Sequence, residues 1–147
     1  MRIALLTPVI VTPSLTASRN FYVRHLGFRI VFENEWYVHL HGGGDPHTVE
    51  MGFMLPDLPE QHPAFRPATN GAGLILNVDV EDASAEYARF QSEGLAFIEP
   101  LRDEPWGERH FTLHDPAGLV VNITQKIEMR ADFAAQALDP AITGPTA

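Results

Sequence analysis

Two histidines stand two residues apart at His39 and His41, a glutamate follows at Glu50, and a second pair recurs at His110 and His114. Side chains alternate along a β-strand, so His39 and His41 point the same way, and His110 and His114 likewise share a face. Two imidazoles and a carboxylate are the donor set of a facial metal triad, provided that Glu50 sits on a neighbouring strand. Without a metal, Glu50 is the one candidate catalytic residue. As a general base it would be buried against Met54 and Val9, which lifts its pKa toward neutrality. Two-residue histidine spacing is common, however, and a triad needs convergent geometry. The ordinary expectation is hydrogen-bonded or partly exposed histidines near turns.

Other chemistry has little support. The chain lacks a Gly-x-x-x-x-Gly-Lys phosphate loop and a Gly-x-Ser-x-Gly elbow. Gly42-Gly43-Gly44 lies between strand-like runs and reads as a turn. With no cysteine there is no thiolate ligand or cysteine nucleophile, a composition at ease in a reducing cytoplasm. The net charge of −9 and the scattered basic residues argue against nucleic acid, and they would favour a cationic or metal-carrying small ligand. Pro8 and Pro13 interrupt the apolar opening, which has no cationic flank, and no apolar run reaches membrane-spanning length. Trp106, between Pro105 and Gly107, stands on a loop where its indole could stack on a flat ligand or close the core.

The elements that must position these residues occur twice. Thr7–Val11 reads as a strand, then comes a helix from Ser14 to Leu26 that Gly27 ends. Gly73–Val80 repeats the strand, and a second helix follows to Glu93 with Gly94 behind it. Ala17-Ser18 aligns with Ala83-Ser84, and Phe21 with Tyr87. Ser14 and Asp82 suit the N-cap position. Ala83, Tyr87 and Phe90 form one apolar helix face, and Leu15, Ser18, Tyr22 and Leu26 the other helix's stripe. Three strand-like runs follow each helix: Phe28–Phe32, Trp36–His41 and Thr48–Leu55, then Leu95–Leu101, Arg109–His114 and Leu119–Gln125. Residues 56–70, holding four prolines, read as a linker, and 127–147 as a tail with a helix-like stretch at Met129–Leu138 and a loose end at Pro140–Ala147.

The pattern Ser18-x-x-Phe21-Tyr22…Leu26-Gly27-Phe28, followed by Pro105-Trp106-Gly107…Asp115-Pro116-x-Gly118, resembles the vicinal oxygen chelate superfamily. That superfamily holds glyoxalase I, bleomycin-resistance proteins, fosfomycin-modifying enzymes and extradiol dioxygenases. The resemblance covers about residues 3–126. It implies an α+β fold of paired βαβββ modules forming a curled sheet around a cleft, with module one at 3–56, a linker at 57–71 and module two at 72–126. It also implies a homodimer. Metal-dependent members place ligands on the first and last strand of each module, and those positions carry over to Thr7, Glu50, Gly73 and Asn122. One good ligand in four implies that the superfamily's full metal centre is absent, so no bound zinc, nickel, manganese or iron and no cofactor is expected, a divalent metal held by displaced ligands being the alternative.

Strand parity assigns Val38, Leu40, Leu74, Leu76, Val78, Phe111, Leu113, Val121 and Ile123 to the helix-facing side. The opposite parity makes Tyr37, His39, Met54, Asn77, His110 and Asn122, with Trp106, the candidate ligand-binding residues. The leading expectation is a small-molecule binding protein of the bleomycin-resistance type, sequestering an antibiotic or similar aromatic compound. The alternatives are a lyase, isomerase or dioxygenase-type enzyme, metal-free with Glu50 as base or with displaced metal ligands, and a dimeric scaffold.

Overall fold

The computed structural model describes residues 1–139, 141 and 144. The chain divides into two compact units, residues 1–72 with 115–119, and residues 73–114 with 120–147. Each contains one βαβββ module, as the repeat predicts. In the first, β1 (Val9–Val11), α1 (Leu15–Leu26), β2 (Arg29–Glu33), β3 (Tyr37–Gly42) and β4 (Val49–Met54) give a sheet of order β1-β4-β3-β2. In the second, β5 (Ile75–Asp79), α2 (Ala83–Ser92), β6 (Glu99–Glu104), β7 (Glu108–His114) and β8 (Val120–Lys126) repeat it as β5-β8-β7-β6. The outer β1 and β5 run parallel to β4 and β8, and every other pairing is antiparallel.

Strand parity holds within the strands: Val38, Leu40, Phe111, Leu113, Val121 and Ile123 are buried against the helices, and Leu76 and Val78 are half-buried. Leu74 does not follow it; it precedes β5, so no ladder sets its facing, and it is 42% exposed. From α1, Leu15, Ser18, Phe21 and Tyr22 are buried, and from α2, Ala83 and Phe90, while Tyr87 packs its ring on Phe97 and Phe111. The two helix starts differ from expectation in one respect. Asp82 caps α2 by accepting from the Ser84 and Ala85 amides at 3.0 Å each. Ser14 occupies the cap position of α1, but its side chain caps nothing; Thr12 Oγ1 accepts the Ser14 amide instead.

Ser18 is fully buried and its hydroxyl has no hydrogen-bond partner among the described residues. A buried hydroxyl that bonds nothing forfeits its hydration without recompense. Ser18→Ala should therefore leave the unfolding free energy measured by urea titration unchanged or raise it by up to about 1 kcal/mol. A loss of stability in that variant would show that the hydroxyl does bond.

Strand limits shift most in the second unit, where the run Leu95–Leu101 was expected and β6 begins only at Glu99. The strand is charged rather than apolar because it is an edge strand, with a bulge between Glu99 and Arg102, whose side chains form ion pairs along it. The proline-rich segment is more than a linker. A short 3-10 turn at Pro63–Phe65 is capped by His62, and Arg66 donates to the Gln61 and Pro59 carbonyls, closing a compact loop within the first unit. The tail carries only the four-residue α3 (Ala131–Ala134) in place of the longer helix-like stretch, and the Ile127 and Arg130 amides bond the Gly107 and Pro105 carbonyls. The expected loose end at 140–147 lies outside the described residues apart from Ala141 and Gly144. Among the described residues no helix is long and apolar enough to cross a membrane.

Candidate functional site

The first unit holds a cavity of about 590 Å3. Its apolar walls come from Val9 and Val11 on β1, Met54 on β4, and Trp36 and Tyr37 at the start of β3. The proline-rich loop supplies Gln61, Ala64 and Phe65, and Thr7 adds a hydroxyl. Local bonding explains the placement of Trp36, just ahead of β3, and of Tyr37, its first residue. Asn34 Oδ1 accepts the Trp36 and Tyr37 amides at 3.0 and 2.8 Å, fixing the turn that launches the strand. The Tyr37 ring then lies across β4 where Gly52 leaves space. A Cβ at Gly52 would stand 2.5 Å from the Tyr37 hydroxyl.

Behind Tyr37 the β3–β4 hairpin gathers four polar side chains. Ladder register puts His41 opposite Glu50 and His39 opposite Gly52. His39 Nε2 lies 2.9 Å from Glu50 Oε2, while His41 Nε2 and His47 Nε2 lie 3.2 and 2.7 Å from Oε1. His47 comes from the connecting turn, where it stacks on His41 with ring centroids 3.8 Å apart. The expected glycine turn makes this possible. Gly43 has φ +82°, and a Cβ there would stand 1.9 Å from Thr48 Oγ1. Tyr37 Oη meets His39 Nδ1 at 3.2 Å, and Thr7 Oγ1 donates to Glu50 Oε2 at 3.3 Å. Two cavity residues thus connect directly to the cluster.

The electrostatics reverse one expectation. Burial alone would raise the Glu50 pKa, but hydrogen bonds from His39 and His47 and the charges of His41 and His39 hold it below the ordinary carboxylate value. A carboxylate so stabilised is a poorer proton acceptor than the base with a near-neutral pKa that burial suggested. Burial lowers His41, as does the neighbouring His47. The Tyr37 phenol is raised, first by burial and then by the Glu50 charge.

In the second unit the candidate residues form a separate, internally satisfied network. His110 Nδ1 lies 2.7 Å from Asn122 Oδ1, Thr112 donates to the same oxygen, and Asn122 Nδ2 donates to Asn77 at 3.1 Å. Register sets Asn77 rather than Gly73 opposite Asn122, Gly73 lying before β5 begins. Trp106 lies in the second unit, where its indole N–H donates to Glu108 and its ring meets Phe133 edge-on at 6.3 Å, so its partners are β7 and the tail. The sequence reading missed Trp36 and Phe65 as cavity residues and His47 as a member of the cluster. Asn34 ahead of Trp36-Tyr37, and His62-Pro63 ahead of Phe65, were the available signals. His47 carried none, since only the turn brings it onto Glu50.

The family model described as the Glyoxalase/Bleomycin resistance protein/Dioxygenase superfamily matches residues 3–123. The chain belongs to this superfamily. No curated protein matches it. Among solved structures, a glyoxalase/bleomycin resistance protein/dioxygenase from Nocardioides superposes with a TM-score of 0.68 at 22% identity, over 84% of this chain and 83% of the other. A lactoylglutathione lyase from Agrobacterium tumefaciens gives 0.66 at 18% identity over 84% and 93%. TnmS3, an antibiotic binding protein from Streptomyces, gives 0.62 at 24% identity over 86% and 98%. The superfamily fold is thus common to chains described as enzymes and as binders, so function must be argued from the site.

Proposed function

We propose that the protein binds a small planar aromatic compound in the cavity of its first unit and acts by sequestering it. The observation that carries this reading is the cavity's composition, with three aromatic side chains, Trp36, Tyr37 and Phe65, among aliphatic walls and few polar groups. Pockets of this kind hold drug-sized ligands by stacking and desolvation and leave orientation to a few polar atoms, here those of Thr7, Tyr37 and Gln61. The net charge of −9 favours a cationic ligand. The likeness to an antibiotic binding protein is in keeping with this reading.

The test is a fluorescence titration. The chain has two tryptophans, so Trp106→Phe leaves Trp36 as sole reporter. Planar aromatic cations should quench it saturably at one ligand per chain. An absence of saturable quenching or shift across a panel of such compounds up to millimolar concentration would refute the reading.

The same reading takes the protein as a homodimer. Ile30, Val31 and Phe32 on edge strand β2 are 42, 44 and 53% exposed. An open apolar strand edge invites pairing, and self-association covers it. Light scattering at micromolar concentration should give twice the chain mass of 16.3 kDa. A single-chain mass would remove the dimer from the proposal.

A further inference from the structure

We infer that His39, His41 and Glu50, all carried by the β3–β4 hairpin, form a site for one divalent first-row transition metal ion, with His47 stacked on His41 at its edge. The superfamily positions, of which only Glu50 is a good ligand here, are not its basis; two imidazoles from β3 supply the other donors. All three Nε2 atoms converge on one carboxylate, at 2.9, 3.2 and 2.7 Å. In a tetrahedral shell with metal–donor distances of about 2.0–2.2 Å, neighbouring donors stand roughly 3.3 Å apart. The donors of His39, His41 and Glu50 lie within 4.8 Å of one another. The hairpin therefore already holds them near the spacing an ion needs.

A second observation concerns the tautomer of His39. Its Nδ1 faces Tyr37 Oη at 3.2 Å. In the metal-free chain His39 Nε2–H donates to Glu50; an ion taking the place of that proton would leave Nδ1–H facing Tyr37 Oη, and such outer partners orient metal-binding histidines. Two imidazoles and one carboxylate suit zinc, nickel, cobalt or iron rather than magnesium or calcium, which prefer oxygen shells.

The other histidine–carboxylate group, Glu99, Glu104 and His110, makes the contrast. There Arg102 bonds Glu99 at 2.9 Å and Glu104 at 2.6 Å, so a guanidinium already occupies the place where a cation would go. No lysine or arginine pairs with Glu50 among the described residues; Arg29, opposite His41 on β2, forms no ion pair with it. This inference is independent of the cavity reading. A metal here would place a Lewis acid beside Tyr37 and Thr7, where an oxygen or nitrogen donor on a cavity ligand could meet it.

The test uses the full chain without an affinity tag, stripped with a chelator and dialysed against zinc, cobalt, nickel or magnesium, with metal content and calorimetry as readouts. One zinc, cobalt or nickel per chain is expected, with no uptake of magnesium and with visible absorption of the cobalt form. Glu50→Gln and His41→Gln should each weaken zinc binding about a hundredfold or more. His41→Gln keeps an N–H donor toward Glu50 and so preserves a merely structural hydrogen bond. His110→Ala should bind zinc as the parent does. Circular dichroism checks that each variant is folded, and the parent's own stoichiometry decides the matter if one is not. Substoichiometric uptake at 0.1 mM free zinc (about the weak end of useful sites), or binding unaltered by His41→Gln and Glu50→Gln, or binding lost on His110→Ala would overturn the site. Trp36 quenching by an aromatic cation in the metal-free chain reads the cavity separately, so either reading can fail alone.

Discussion

Trp36→Ala should weaken binding of a planar aromatic ligand by about 1–3 kcal/mol, roughly 5- to 150-fold in affinity, while leaving the fold intact. Trp36 lines the cavity and is 39% exposed, so its removal deletes a stacking surface rather than a core contact. Asn34 still accepts the amides of residues 36 and 37, so the turn that launches β3 survives. Trp106→Ala is the matched control and should leave affinity within about twofold, since its ring packs on Phe133. Calorimetric titration of both variants with one ligand separates the outcomes. Equal losses, or a loss confined to Trp106→Ala, would show that the ligand sits elsewhere.

Asp115→Ala should destabilise the chain by roughly 2–5 kcal/mol, because one carboxylate serves three donors. Oδ1 accepts the Ala117 and Leu119 amides at 2.9 and 2.8 Å, and Oδ2 accepts the buried Tyr22 hydroxyl at 2.9 Å. The Asp-Pro-x-Gly motif is therefore a structural lock: it closes its own turn and ties that turn to α1. Asp115→Asn keeps an acceptor for the two amides and should cost much less.

Burial raises the Asp115 pKa above its ordinary 3.8 despite its hydrogen bonds. A carboxyl whose pKa is raised by folding contributes stability that is fully present below the unfolded value and is lost as pH climbs through the folded value. Urea midpoints across the acid range should therefore show the parent losing stability relative to Asp115→Asn as pH rises from 3.8. The opposite slope would mean that hydrogen bonding outweighs burial at this carboxylate.

The fold was legible for a particular reason. Motifs such as Ser18-x-x-Phe21-Tyr22 and Asp115-Pro-x-Gly118 carry local physics, namely helix faces, turn closure and strand parity, and these act over a few residues. Val38, Leu40, Phe111 and Val121 are buried as parity required. Parity also placed Tyr37, His39, Met54 and Glu50 on one side of the sheet, and Tyr37 and Met54 line the cavity. The limits of β6 and the bonding of Ser14 escaped this reasoning because an edge strand tolerates charge and a cap position does not oblige its side chain to cap.

What the tertiary structure alone decided is which groups meet. Phe65 lies eleven residues beyond the end of β4 (54 to 65), and nothing local says that its loop folds back as a cavity wall. His47 meets Glu50 only because Gly43 turns the chain tightly enough to bring it over His41. The Glu50 pKa likewise followed from its surroundings. Apolar neighbours in the sequence argue for a rise, but three imidazoles converging in space outweigh burial and lower it. Trp106 shows the same limit, since its flanking residues suit a ligand platform and only the returning tail shows that Phe133 meets it. Residue type and spacing determine which face a side chain takes, whereas its partner is set by where distant segments of chain come to rest.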